Sequence, residues 1–174
     1  YADAAAREDI DLALHVGDYI YEYARGTYPS LDQTVQGRLI DPTREIVSYS
    51  DYCQRYATYH TDQGLLALRQ AKPISVVWDD HELANNTWRD GAENHQPETE
   101  GSFAARMANA AKAYFDWMPI RRPDPRTPRI YRSLDWGDLA RIVLLDTRYI
   151  GRDEQIDLGA TLAPRQIAPI EAAI

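Results

Sequence analysis

Two stretches decide the fold: Asp11-Leu12-Ala13-Leu14-His15-Val16-Gly17-Asp18 and Ile74-Ser75-Val76-Val77-Trp78-Asp79-Asp80-His81-Glu82. Each is a short apolar run, the second rich in β-branched residues, and each closes on acid. Such runs read as buried strands. Between them a helix is expected, opening at a Ser50 N-cap and running to about Gln70, with Tyr52, Tyr56, Tyr59 and Leu66 near helical spacing. Strand, helix, strand implies a parallel pair, and in open α/β sheets ligands gather beyond the carboxyl ends of such strands. Two carboxylates brought together there repel, so one must protonate or a cation must sit between them.

Outward from this pair, Tyr28 to Val47 is rich in Pro, Ser, Asp, Gly and Arg and reads as a long irregular insertion. Arg89 to Gly101 reads as a polar loop. Ser102 is placed to cap a helix through Met118, with Phe103, Met107, Ala110, Ala111, Tyr114 and Trp117 on one face. Pro119 to Pro128 reads as a linker. Ile130–Trp136 and Leu139–Leu145 flank Gly137-Asp138 as a β-hairpin, with Asp146 at its end, and a last helix is expected from about Pro164. The order implies an α/β layered fold with a partly parallel sheet.

The chain has 174 residues, enough for one domain with a proper core, and its 19 Lys+Arg against 27 Asp+Glu give a net charge of −8. That balance argues against nucleic acid as the main partner, because phosphate backbones need basic surface. No apolar run approaches the roughly 18 residues of a membrane span. The single cysteine, Cys53, excludes an internal disulfide framework and reads as a buried or half-exposed structural thiol. Twelve tyrosines against two phenylalanines are expected to serve mostly in packing, at Tyr52, Tyr56, Tyr59 and Tyr114. His60 and His95 match no motif and are expected at the surface. Helix-like text at both ends, Ala4–Glu8 and Glu171–Ile174, leads us to expect a piece of a longer enzyme.

Candidate site residues follow from the strand ends. Asp18 and Asp80 are the expected carboxylate ligands; turn-forming and capping roles are the alternative for any one Asp. Tyr21 lies three residues after Asp18, so one helical turn would set its phenol beside the carboxylate; otherwise it is a buried aromatic with its hydroxyl satisfied. His81 suits either metal ligation or protonation of a leaving group. Asn85 and Asn86 offer neutral oxygen to a hard ion, or serve as caps. Arg148, just past a strand, suits a phosphate contact or a salt bridge to a helix. A metal-independent acid–base pair of Asp80 and His81 is a competing reading, as is a catalytically silent fragment or binding module.

His15-Val16-Gly17-Asp18-Tyr19-Ile20-Tyr21-Glu22-Tyr23, then Val77-Trp78-Asp79-Asp80-His81-Glu82 with Asn85-Asn86, resembles the signature of PhoD-like alkaline phosphatases and phosphodiesterases, in the calcineurin-like metallophosphatase superfamily. Leu145-Asp146-Thr147-Arg148, Leu158-Gly159 and Gln166 resemble later landmarks in the same order. The resemblance implies a layered β-sandwich flanked by helices, with a metal cluster at the strand ends. It implies that residues 1–174 hold the central part of one such domain. The core's first and last strands, an iron-binding Cys upstream and Asp/His ligands downstream would then lie outside them. It further implies Fe3+ and Ca2+ as cofactors, other divalent ions being the alternative. By this resemblance Asp18 would bridge the ions, Tyr21 would bind iron as phenolate, Asp80 would bind a metal and His81 would be catalytic; Asn85 as a further metal ligand and Arg148 as a catalytic phosphate contact are expected from their residue types and positions. Asp79 is either a direct ligand or a neighbour of one. The implied substrate is a phosphate monoester or diester, and the implied setting is extracellular, periplasmic or cell-wall.

Overall fold

The parallel pair is there. Strands β1 (Ala13–His15) and β2 (Ile74–Val76) pair in parallel, with Ala13 opposite Ile74 and His15 opposite Val76. The pairing extends one bond further through Val77 N–H to His15 O at 3.0 Å. Both carboxyl ends therefore leave the sheet side by side, carrying Gly17-Asp18 and Asp79-Asp80 together. The structure, a computed structural model, describes residues 1–122, 124, 127–150 and 152–154. The helix expected from Pro164 and the landmarks at Leu158-Gly159 and Gln166 lie outside these residues.

The helical crossover is broken in two. Helix α2 (Tyr49–Tyr59) follows α1 (Ala2–Ala6), and α3 (Gln63–Ala71) comes next. The cap is Ser48 rather than Ser50: its side chain accepts from Asp51 N–H while Asp51 reaches back to Ser48 N–H, a complete capping box. The single helix fails at Thr61-Asp62 because Asp62 accepts from Leu65 N–H and so begins a new N-terminus. Helix α5 (Phe103–Trp117) runs as expected from its Ser102 cap, and α2 packs against it. A short helix, α4 (Pro97–Glu100), with Pro97 in its first turn, interrupts the loop expected at 89–101. Strands β3 (Arg132–Trp136) and β4 (Ala140–Leu144) form the antiparallel hairpin around Gly137-Asp138. No helix among the described residues is long and apolar enough to cross a membrane.

The described strands make two two-stranded sheets. This is an α/β arrangement, and the stacked sandwich implied by the resemblance is not assembled by these residues alone. Arg132 links the sheets, donating from β3 to Val76 O at 2.7 Å and Ser75 Oγ at 2.8 Å in β2. The expectation of two buried strands holds for β2 but not for β1. Leu14 in β1 and Val16 just past it are 44% and 74% exposed, two residues apart on a face that the described residues leave largely uncovered.

The core is aromatic. Trp78, just past β2, meets Tyr114 at 5.2 Å and Tyr149 at 4.4 Å between ring centroids. Tyr52, Tyr56 and Tyr114 are buried as expected, joined by Tyr19 and Tyr149. Phenol suits these places because its hydroxyl can tie elements together: Tyr52 Oη donates to Leu83 O at 2.6 Å, joining α2 to the turn after Asp80-His81.

Residues 16–48 carry no helix or strand, and the irregular insertion expected over Tyr28–Val47 lies within them. They are nonetheless tied at the base. Ile46 N–H donates to Glu22 O at 3.0 Å and Arg25 N–H to Thr43 O at 2.9 Å. From α2, the fully buried Arg55 sends its guanidinium to the carbonyls of Tyr21, Tyr23, Asp41, Pro42 and Arg44. One side chain thus supplies the donors that this backbone lacks for want of a sheet partner.

Candidate metal centre

The site begins with a close backbone approach. Gly17 has φ +110, and a Cβ there would stand 2.4 Å from both Asp79 Cβ and Asp79 N. Only glycine lets the two strand ends come so near. Asp18 follows at φ +55, a left-handed position that Asp tolerates better than most residues. The reversal turns its carboxylate toward the end of β2.

Glu82 staples the two ends. Its carboxylate is buried and accepts N–H bonds from Asp18 (3.1 Å), Tyr19 (2.5 Å) and Asp79 (2.7 Å). Burial pushes its pKa up to about 7 against the pull of those three donors. Glu22 does the same work on the other side. It is fully buried, takes Asn85 N–H at 2.6 Å and Asn94 Nδ2 at 2.7 Å, and holds His81 Nδ1 at 2.7 Å. A carboxylate on Nδ1 fixes the proton there and leaves Nε2 as the free ring nitrogen.

Asp18, Asp80 and His81 come together: each offers one ligand atom within 4.8 Å of the others. Asp80 is 4% exposed, its Oδ2 taken by Asn86 N–H at 2.6 Å. Asp18 Oδ1 is buried with no hydrogen-bond partner. Burial raises the Asp18 pKa, with Asp80 and Asp79 adding to the rise while His81 opposes it. A buried carboxylate oxygen left idle beside a second carboxylate is what a hard cation satisfies, so the donor set fits a metal ion.

Tyr21 stands where the spacing places it, donating from Oη to Asp18 Oδ2 at 3.2 Å. Its ring stacks on His81 at 4.4 Å between centroids. Burial, then the Asp18 charge, hold the phenol protonated to well above its ordinary range. Burial is the largest influence and works against the His81 imidazolium, yet the hydrogen bond and charge of Glu22, together with the charges of Asp80 and Asp18, outweigh it and the pKa rises. Because His81 Nδ1 is committed to Glu22, and Asp80 to Asn86 and Arg148, an Asp80–His81 acid–base pair is not what the geometry presents.

Arg148 does not bridge to a helix. Its Nε donates to Asp79 Oδ1 and its Nη2 lies 3.2 Å from Asp80 Oδ1. Burial disfavours its charge, but these acids more than restore it and the pKa rises. Asp146 is a turn anchor: buried, it accepts Arg148 N–H at 3.0 Å and Tyr149 N–H at 2.8 Å. Asn85 is half-buried beside His81, its backbone held by Glu22, and Asn86 sends Nδ2 to Glu93 at 2.5 Å. A cleft of about 620 Å³ between residues 29–40 and the α2–α3 junction opens beside Asp18.

Cys53 lies half-buried on α2, away from this group. The two histidines expected at the surface are not there. His95 has a side chain only 3% exposed, with Nδ1 3.0 Å from Glu100, because α4 folds over it. His60 is half-buried, in hydrogen-bond contact with Arg69. Glu22 and Glu82 had no assigned role in the sequence. The signal available was position: Glu22 is the one charge in Tyr19-Ile20-Tyr21-Glu22-Tyr23, and Glu82 follows directly on the candidate ligands.

Comparison with known proteins identifies the family. The family model described as PhoD-like phosphatase matches residues 1–172. Alkaline phosphatase D of Bacillus subtilis (strain 168) is 39% identical over 153 residues, an overlap of 86% of this chain and 25% of that protein. A solved structure described as "Structure of PhoD" superposes with a TM-score of 0.76 at 37% identity, covering 90% of this chain and 30% of the other. The chain thus spans about a quarter of the length of the curated relative it matches. With the family match running from end to end of the described site, the chain belongs to the PhoD-like phosphatase family.

Proposed function

We propose that this chain carries the central part of a metal-dependent phosphate ester hydrolase, an alkaline phosphatase or phosphodiesterase of the PhoD type. The observation that carries the reading is the meeting of Asp18, Asp80 and His81 within 4.8 Å around a partnerless Asp18 Oδ1. The family match and the relative called alkaline phosphatase D support the reaction class.

Bound cations, Fe3+ and Ca2+ in this reading, supply the Lewis acidity that polarises a phosphoryl group and acidifies water. Asp18 and Asp80 hold the charge of such ions, with Tyr21 as a phenolate donor and Asn85 as a neutral oxygen donor. His81 holds one proton on Nδ1 through Glu22 and, in its imidazolium form, would donate the second from Nε2 to the leaving oxygen. Arg148 faces the same strand ends as a cation for the substrate oxyanion. A chain of net charge −8 handles an anionic ester because the ions reverse the local field. An extracellular, periplasmic or cell-wall setting belongs to the same proposal.

The test is metal analysis of the purified full-length protein together with hydrolysis of p-nitrophenyl phosphate and bis(p-nitrophenyl) phosphate. Stoichiometric metal, activity lost on strong chelation, and loss of both in Asp18→Ala are expected. A metal-free preparation that stays active through chelation refutes the proposal.

A further inference from the structure

Four acidic side chains crowd the two strand ends, and they do not share one fate. Asp18 has an idle buried oxygen, and Asp80 stands with it and His81 in the group that can share a cation; Asp79 is outside that group. Glu82 is consumed by backbone N–H donors. Asp79 has a different counterion: its Oδ1 accepts from Arg148 Nε.

We propose that Asp79 is a positioning residue, not a metal ligand, and that it sets Arg148 as the arginine that binds the phosphoryl oxygens. The inference rests on the phosphoester reading above and adds which residue makes Arg148 competent for it.

Asp79 is itself immobilised. Its backbone N–H is held by Glu82 at 2.7 Å, and its Cβ abuts Gly17 so closely that no side chain fits between them. Arg148 is then fixed at both ends. Its backbone N–H goes to Asp146 Oδ1 at 3.0 Å, its Nε to Asp79, and its Nη2 lies 3.2 Å from Asp80 Oδ1. The remaining nitrogen, Nη1, is buried without a hydrogen-bond partner. A planar guanidinium fixed by two carboxylates, with one nitrogen still unpaired, is pre-organised for an oxyanion. Removal of Asp79 returns rotamer freedom to the head group and leaves only Asp80 to hold it. Because Asp80 also belongs to the cation group, the head group would then compete with the metal for that carboxylate. With Asp79 in place, Arg148 has an anion of its own and draws on Asp80 through Nη2 alone.

The experiment uses metal-loaded full-length protein. Metal per chain, KM and kcat for p-nitrophenyl phosphate, and competitive inhibition by inorganic phosphate are measured for wild type, Asp79→Asn, Arg148→Lys and the double variant. Asp79→Glu serves as the charge-retaining variant. Asp79→Asn is expected to keep its metal and to weaken phosphate inhibition and raise KM by about tenfold, with a smaller change in kcat. The double variant is expected to be no worse than Arg148→Lys, because Asp79 acts only through the arginine. Asp79→Glu should recover part of the phosphate affinity. Loss of metal in both Asp79→Asn and Asp79→Glu, or full additivity in the double variant, overturns the inference while leaving the phosphatase reading intact. A wild type that holds no metal and does not respond to phosphate sinks that underlying reading and this inference together.

Discussion

Gly17→Ala is the most direct trial of how the site is built. The added methyl lands 2.4 Å from Asp79 Cβ and N and 2.9 Å from its Cα. Carbon atoms rest at about 3.5–4.0 Å, so the two strand ends must part by roughly 1 Å. Alanine at φ +110 also carries backbone strain of about 1–3 kcal/mol. Parting the ends stretches the bonds by which Glu82 holds Asp18 and Asp79, and a hydrogen bond to a charged group is worth about 1.5–3 kcal/mol. Together these give a loss of about 3–5 kcal/mol and a cation group that no longer closes. Gly37→Ala is the control: its φ is also positive, at +83, but its would-be Cβ meets nothing within 4 Å, so only the strain remains. Urea unfolding of both variants in the full-length protein measures the difference, and metal content measures the site. If Gly17→Ala unfolds within about 1 kcal/mol of Gly37→Ala and keeps its metal, the close approach is not what assembles this site.

Glu82→Gln leaves one oxygen for three N–H donors, and a loss of about 2–4 kcal/mol in urea unfolding is expected; a change below about 0.5 kcal/mol would show that the staple is dispensable. His60 has its pKa lowered to about 4, by burial first and by Arg69 second. Between about pH 6.5 and 4 the unfolded chain therefore binds a proton that the folded one refuses, and stability should fall as pH drops through that window. His60→Gln should flatten the slope in unfolding midpoints taken across it; an unchanged slope assigns the dependence to other groups.

The parts of this fold that the sequence shows are those written in local pattern. Two apolar runs ending in acid gave the parallel pair, Ser102 with its apolar face gave α5, and Gly137-Asp138 gave the hairpin. The helix break at Asp62 was missed although its mechanism is local, because Tyr59 and Leu66 stay near helical phase across it. Burial of charge was not legible at all. Glu22 and Glu82 read as surface residues until their donors are known, and Glu82's include backbone N–H groups more than 60 residues away. The same holds for Arg55 and Arg106, whose partners are carbonyls and carboxylates brought in by the fold. At the site, residue types and spacing placed Asp18, Tyr21, Asp80 and His81 together, but which carboxylate answers to which cation depends on distances that no pattern encodes.

The knot around Arg55 has a consequence for how this architecture can diversify. Its bonds gather the backbone at 21–23 and 41–44 into one stem, closed also by Arg25 N–H to Thr43 O. Residues 26–40 hang outside that stem and form one wall of the cleft beside Asp18. Doubling such a loop costs only about 0.6 kcal/mol in closure entropy. The wall can therefore be lengthened, shortened or exchanged while the stem keeps Tyr21 and Glu22 at their stations. The cleft wall and the carboxylate group at the strand ends are mechanically separate parts, and the first can change without rebuilding the second.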